Sequence, residues 1–118
     1  SQMARRTLPA NVRTRSNGES ALAVFSERIR ENALYLLDEP ENRLSPARQL
    51  ELAQFLHDSA RFYNCQFVIA THSPFLLAMP GARVYDLDSE PIAPRKWTEL
   101  ENVRATWEFF QAHRDEFA

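Results

Sequence analysis

The sequence predicts an α/β fold built on a parallel β-α-β core, and three observations carry that reading. Two short, wholly apolar runs, Ala33 to Leu37 and Phe67 to Ala70, have the character of strands buried on both faces of a parallel sheet. Between them lies a segment with helical spacing, which calls for parallel strands joined by a right-handed crossover. Each run is closed by polar residues: Asp38-Glu39-Pro40 after the first, Thr71-His72-Ser73-Pro74 after the second.

Residues 1–18 show no periodicity and contain Pro9, Asn11, Asn17 and Gly18, so they read as a loop or arm. The arm is basic, with Arg5, Arg6, Arg13 and Arg15 and no acid before residue 16. A helix is predicted from Glu19 or Ser20 to about Glu31, where Leu22, Phe25 and Ile29 keep a three-to-four spacing and Asn32 can stop it. The strand 33–37 follows. Ser45-Pro46 then supplies a capping hydroxyl and a proline whose missing N–H costs nothing at a helix start. Gln49, Leu52, Ala53, Leu56, Ala60 and Tyr63 mark one face of that helix, which ends near Asn64. After strand 67–70 come a short helix from Pro74 to Ala78, a Pro80-Gly81 turn, and a third strand at 83–87. Residues 88–96 read as loop and Thr98 to Arg114 as a last helix. That helix and its surroundings hold Trp97, Trp107, Phe109, Phe110 and Phe117, for which core packing is the expected use. The resulting division is an arm, 1–18, and one domain, 19–118.

Bulk composition removes several function classes. With 44% hydrophobic and 25% charged residues the chain is neither a disordered tail nor a membrane protein. A net charge of −2 and a pI near 5.9 give no general electrostatic case for nucleic acid. Cys65 is the only cysteine, so no intrachain disulfide can form. No apolar run approaches the roughly 18 residues of a membrane span. The first residues lack a signal-peptide pattern, and a cytoplasmic location is expected.

The chemistry sits where the topology gathers polar residues. Asp38, Glu39 and His72 all follow the carboxyl ends of neighbouring parallel strands, the edge at which open α/β sheets bind ligands. One acid beside a nucleotide can bind Mg²⁺, since hard cations prefer oxygen. A second can orient or deprotonate water, and an imidazole on the next strand end can sense phosphate. Taken singly, Asp38-Glu39 could equally be turn residues and His72 could be bonded to backbone.

Together these segments resemble the ABC-type P-loop ATPases. ALYLLDEPE (33–41) resembles the Walker B motif, ENRLSP (41–46) falls at the D-loop, and VIATHSP (68–74) is similar to the switch-histidine segment. RSNGES (15–20), opening a helix whose N-terminal dipole suits a phosphate, is similar to the signature motif. The resemblance covers residues 15–74. It implies a partial P-loop NTPase sheet that uses ATP and Mg²⁺, with Asp38 as the magnesium residue, Glu39 as catalytic base and His72 as the γ-phosphate switch. Ser16, Gly18 and Glu19 would face nucleotide held by a second protomer of a homodimer, with Arg43 to Ser45 at the seam.

Two departures shape the reading. ENRLSP stands where transporter subunits carry a Thr-Ser-Ala-Leu-Asp type run, which leans towards soluble ATPases related to chromosome-maintenance and DNA-repair proteins, with DNA as a compatible partner. The chain also has no G-x-x-x-x-G-K-[ST]; Gly18, Gly81 and Lys96 are its only glycines and lysine. A phosphate loop needs glycine N–H groups and a lysine, so this part of the site is expected from a missing N-terminal half. Strand 33–37 would then lack a neighbour, and either self-association or residues 1–15 is expected to cover its edge. The alternatives are a nucleotide-sensing or interaction module without hydrolysis, and an ABC transporter subunit.

Overall fold

A computed structural model describes residues 4–7 and 30–118. Expectations for other positions, including the helix predicted from Glu19 or Ser20 as far as residue 29, fall outside the described residues; Arg30 and Glu31, its predicted end, are not helical. The chain forms two compact units, Ser1–Met79 and Pro80–Ala118.

The first unit holds a three-stranded parallel sheet in the order β1-β2-β3, with β1 Ala4–Thr7, β2 Ala33–Asp38 and β3 Gln66–Ala70. Helix α1, Pro46–Phe62, makes the crossover from β2 to β3. Its first residue stands where Ser45-Pro46 predicts, and the Ser45 hydroxyl accepts from the Arg48 N–H at 3.3 Å. A short helix α2, Pro74–Leu77, follows β3.

β1 corrects the reading of residues 1–18 as loop. Its register, Ala4 on Ala33 through Thr7 on Leu36, lays it along β2. The segment Ala-Arg-Arg-Thr has no apolar pattern of its own; the ladder offered by the edge of β2 makes it a strand. The expectation that residues 1–15 cover this edge is met at these four positions.

Burial on both faces of the strands is also corrected. Ala33, Tyr35 and Leu37 point to one face and pack with Leu52, Ala53 and Leu56 of α1. Leu36 and Val68 are 40% and 54% exposed. Tyr35 is fully buried, stacks on Phe67 with centroids 5.6 Å apart, and accepts the Arg30 N–H at its hydroxyl over 2.7 Å. Asn32 and Asn64, each just ahead of its strand and both at positive φ, are joined side chain to side chain at 2.7 Å. Asparagine tolerates this left-handed conformation better than most residues.

In the second unit, residues 83–87 do not continue the parallel sheet. Only Val84–Tyr85 (β4) is strand, and it pairs antiparallel with Pro94–Arg95 (β5), inside the predicted loop. The Arg-Val-Tyr-Asp-Leu run alternates polar and apolar, as two-stranded antiparallel ribbons do, unlike the unbroken apolar runs of β2 and β3. Asp86 turns the chain back: its carboxylate accepts the Asp88 N–H and its carbonyl accepts the Ser89 hydroxyl. The predicted last helix is divided into a 3₁₀ turn, Trp97–Glu99, helix α3, Glu101–Ala112, and a second 3₁₀ turn, Arg114–Phe117. Leu100 and Val103 are its buried residues, whereas Trp107, Phe109, Phe110 and Phe117 stay exposed. The expected core role of these aromatics is therefore not realised. The phenylalanines pack on one another, with ring centroids 5.6 Å apart for Phe109–Phe110 and 5.8 Å for Phe110–Phe117.

Candidate functional site at the carboxyl rim of the sheet

The parallel register places Asp38, the last residue of β2, beside Ala70, the last residue of β3. One step on, the Glu39 N–H donates to the Ala70 carbonyl at 2.7 Å. Glu39 itself stands at φ 47°, a left-handed conformation that costs a residue with a Cβ about 1–2 kcal/mol. Backbone strain of this kind collects at functional positions because surrounding structure must hold it. Here the holding groups are the bond to Ala70 and two tight turns: Asn42 N–H to Glu39 carbonyl at 3.1 Å, and Leu44 N–H to Glu41 carbonyl at 2.9 Å.

The second wall of the rim is Thr71-His72-Ser73. Asp38 and His72 are both exposed and Glu39 is half-buried. The His72 N–H donates to Glu41 Oε2 at 3.4 Å, joining the turn after β2 to the end of β3. Ser73 is 5% exposed and donates its hydroxyl to Gln49 Oε1 at 2.6 Å. Gln49 in turn donates to the Leu44 carbonyl at 2.9 Å, so one side chain of α1 braces both walls. Leu44 is buried in the core and Ser45 caps α1. Arg43, at φ 68°, is exposed, as is Ser45.

The structure thus brings the Asp38-Glu39 and His72 segments to one rim. Ser16, Gly18 and Glu19 lie outside the described residues. Sequence reasoning missed Gln49, Ser73 and Glu41. A glutamine on the otherwise apolar face of α1 was the available signal for the first; the others declare themselves only through partners distant in sequence.

The donor set fits part of a magnesium-nucleotide. Among the described residues no three His, Cys, Asp or Glu side chains gather closely enough to hold a metal. Mg²⁺ bound to a nucleotide takes one or two carboxylates, with phosphates and water filling the rest, and Asp38 suits that share. Among the described residues no phosphate cradle accompanies it. Gly81, the one described glycine, turns at φ 81° in open space.

Residues 5–78 match the family described as "AAA domain, putative AbiEii toxin, Type IV TA system". The chain belongs to this family. The AAA domain is a nucleotide-binding P-loop ATPase domain, and the matched span contains the parallel sheet except Ala4, together with both walls of the rim. Its fold is similar to a solved structure from work on the structural biochemistry of ATP-driven dimerization and DNA-stimulated activation of SMC ATPases. The TM-score is 0.55 at 17% identity, over 87% of this chain and 64% of that one. The AAA domain therefore spans somewhat under two thirds of that neighbour's length. No curated protein matches it in sequence. No helix among the described residues is long and apolar enough to cross a membrane.

Proposed function

We propose that this AAA domain supplies the magnesium-binding and water-activating side of an ATPase site in the cytoplasm. The observation that carries the reading is the placement of Glu39: strained at φ 47°, tied to Ala70, and one residue past Asp38 on the rim shared with His72. A turn serving only the chain reversal would ease that strain with glycine or asparagine.

In this reading Asp38 ligates Mg²⁺. Bound there, the ion neutralises phosphate charge. Glu39 orients the attacking water and takes its proton, and a positioned base of this kind contributes roughly 10²–10⁴-fold in rate. The His72 ring donates a hydrogen bond towards the transferred phosphate. The phosphates themselves rest on a glycine-rich loop with its lysine, supplied by residues outside these 118. Ser16, Gly18 and Glu19 face the nucleotide of a second copy, so that ATP closes a homodimer with Arg43 at the seam. The SMC neighbour's ATP-driven dimerization and DNA-stimulated activation support testing both a dimer and DNA as a stimulant.

The test is Glu39→Gln in the assembled ATPase, meaning this domain together with its phosphate loop. Turnover is expected to fall by at least about 100-fold with ATP binding kept. Undiminished hydrolysis would remove Glu39 from the reaction, whereas ATP binding without turnover in the natural assembled protein would leave a module that senses nucleotide without cleaving it.

A further inference from the structure

Glu41 is a side chain at the rim whose chemistry the reading above leaves unused. It lies in the turn after β2, and its Oε2 accepts the His72 N–H over 3.4 Å. Its Oε1 is buried and has no partner among the described residues. A carboxylate oxygen out of water without a donor is a standing cost to the fold. Residues that serve only stability do not carry such a cost.

We propose that Glu41 is a positioning residue for His72. The two strand ends are otherwise joined at the rim by the Glu39–Ala70 backbone bond, which stops short of His72 by two residues. Past Ala70 the chain leaves the ladder and runs through Thr71-His72 into the cap of α2. Ser73 is pinned below by Gln49. Glu41 supplies a tie on the other side, so that His72 is held between a bond at its own N–H and the Ser73 anchor. The bond of the carboxylate is to the backbone N–H of His72. Its effect on catalysis passes through where the ring stands relative to Asp38 and Glu39. The assignment rests on the ATPase reading and adds to it a residue the sequence does not single out.

The tie predicts a split between folding and function. Replacing Glu41 by methionine keeps the length and bulk, removes the acceptor, and also removes the uncompensated oxygen. The melting temperature of the Glu41→Met chain is expected to equal or exceed that of the natural one. In the assembled ATPase, kcat falls about tenfold while KM for ATP stays within about twofold, since a displaced switch group weakens the transition state more than ground-state binding. Glu41→Gln, whose amide oxygen can accept the same N–H, restores turnover. On a His72→Ala background, Glu41→Met has no further effect, because the only route of its action is gone. Amide exchange on the 118-residue chain gives an independent readout: the His72 N–H exchanges faster in Glu41→Met and at the natural rate in Glu41→Gln.

Natural turnover in Glu41→Met, or an equal loss on the His72→Ala background, overturns the assignment. So does a loss of activity that tracks a lowered melting temperature without Gln rescue. Glu39→Gln run alongside separates the two claims. If it abolishes turnover while Glu41→Met does not, only the positioning role fails; if it too leaves turnover intact, the assignment of this rim as the catalytic site falls and this one with it.

Discussion

The backbone N–H of Glu39 donates to the carbonyl of Ala70 at 2.7 Å, one step beyond the point where Asp38 and Ala70 end their strands side by side. That bond extends the ladder past the last side-chain pair and turns Glu39 into the left-handed region at φ 47°. The strain belongs to the position. The carboxylate belongs to the chemistry. The two can be separated by substitution.

Glycine has no steric penalty at positive φ, but it loses more chain entropy on folding. Glu39→Gly is therefore expected to leave stability unchanged or raise it by up to about 1 kcal/mol, while Glu39→Val, β-branched, costs about 1–3 kcal/mol. Urea denaturation of the three chains decides the matter. A Glu39→Gly chain less stable than the natural one by more than that margin would mean the side chain itself supports the fold.

Tyr35 joins the core to the chain entering β2. Its ring is fully buried on Phe67 and its hydroxyl accepts the Arg30 N–H at 2.7 Å. Tyr35→Phe leaves that N–H unpaired and is expected to cost about 1–3 kcal/mol. Tyr35→Ala adds a cavity and is expected to cost about 3–5 kcal/mol, enough to threaten a small fold. Equal losses for the two variants in chemical denaturation would dismiss the hydroxyl's part.

Ser73 and Gln49 carry a buried hydrogen bond of 2.6 Å, and Ser73 also accepts the Leu76 N–H at the start of α2. Ser73→Ala removes both bonds and is expected to destabilise by about 1–2 kcal/mol. Because Gln49 loses its partner in that variant, Gln49→Leu and Ser73→Ala should not add. A double-mutant cycle is expected to show a coupling of at least about 0.5 kcal/mol. Strict additivity would mean that the helix and the rim are not braced through this pair.

Why some of this was legible and some was not follows from the range of each interaction. β2 and β3 announced themselves because an unbroken apolar run closed by acids or by Thr-His-Ser-Pro has few other uses. The start of α1 was readable to the residue because capping is local, decided by Ser45 and Pro46 alone. β1 was not, since Ala4–Thr7 is strand only by virtue of the edge it lies on, some thirty residues away. The same holds for β4 with β5 and for the ties from Glu41 and Gln49 to the His72 segment. In the site, the strand-end rule placed Asp38, Glu39 and His72 together, whereas the groups that hold them there depend on contacts between distant residues.

Burial pushes the Cys65 thiol above its ordinary value of 9.0, with the nearby Glu31 charge acting in the same direction. The thiol is 7% exposed and donates to the Arg30 carbonyl at 3.0 Å. The folded chain therefore holds this proton more tightly than the unfolded one. Its contribution to stability is complete below pH 9 and is lost as pH rises through that value and beyond. Alkylation at neutral pH is expected to be slow in the folded chain and fast in urea, as the thiolate is the reactive form. Mass spectrometry after timed iodoacetamide treatment measures both rates, and equal rates would place Cys65 at the surface.

The strand β1 gives the last expectation. Paired along β2 from Ala4 to Thr7, it covers an edge whose partner strand is rich in apolar residues, with Leu36 already 40% exposed on the open face. Removing residues 1–7 uncovers a row of backbone donors and acceptors next to that surface, the combination through which sheets join edge to edge. The shortened chain is expected to be less stable and to associate at concentrations where the full chain does not. A charged residue placed at Leu36 in the shortened chain should suppress the association without restoring the lost stability, because it blocks docking of the face and rebuilds no ladder. Light scattering and urea denaturation, run on the full chain, the shortened chain and the shortened Leu36→Lys chain, test the pairing directly. A shortened chain that remains monomeric and equally stable would show that the edge of β2 has no need of β1.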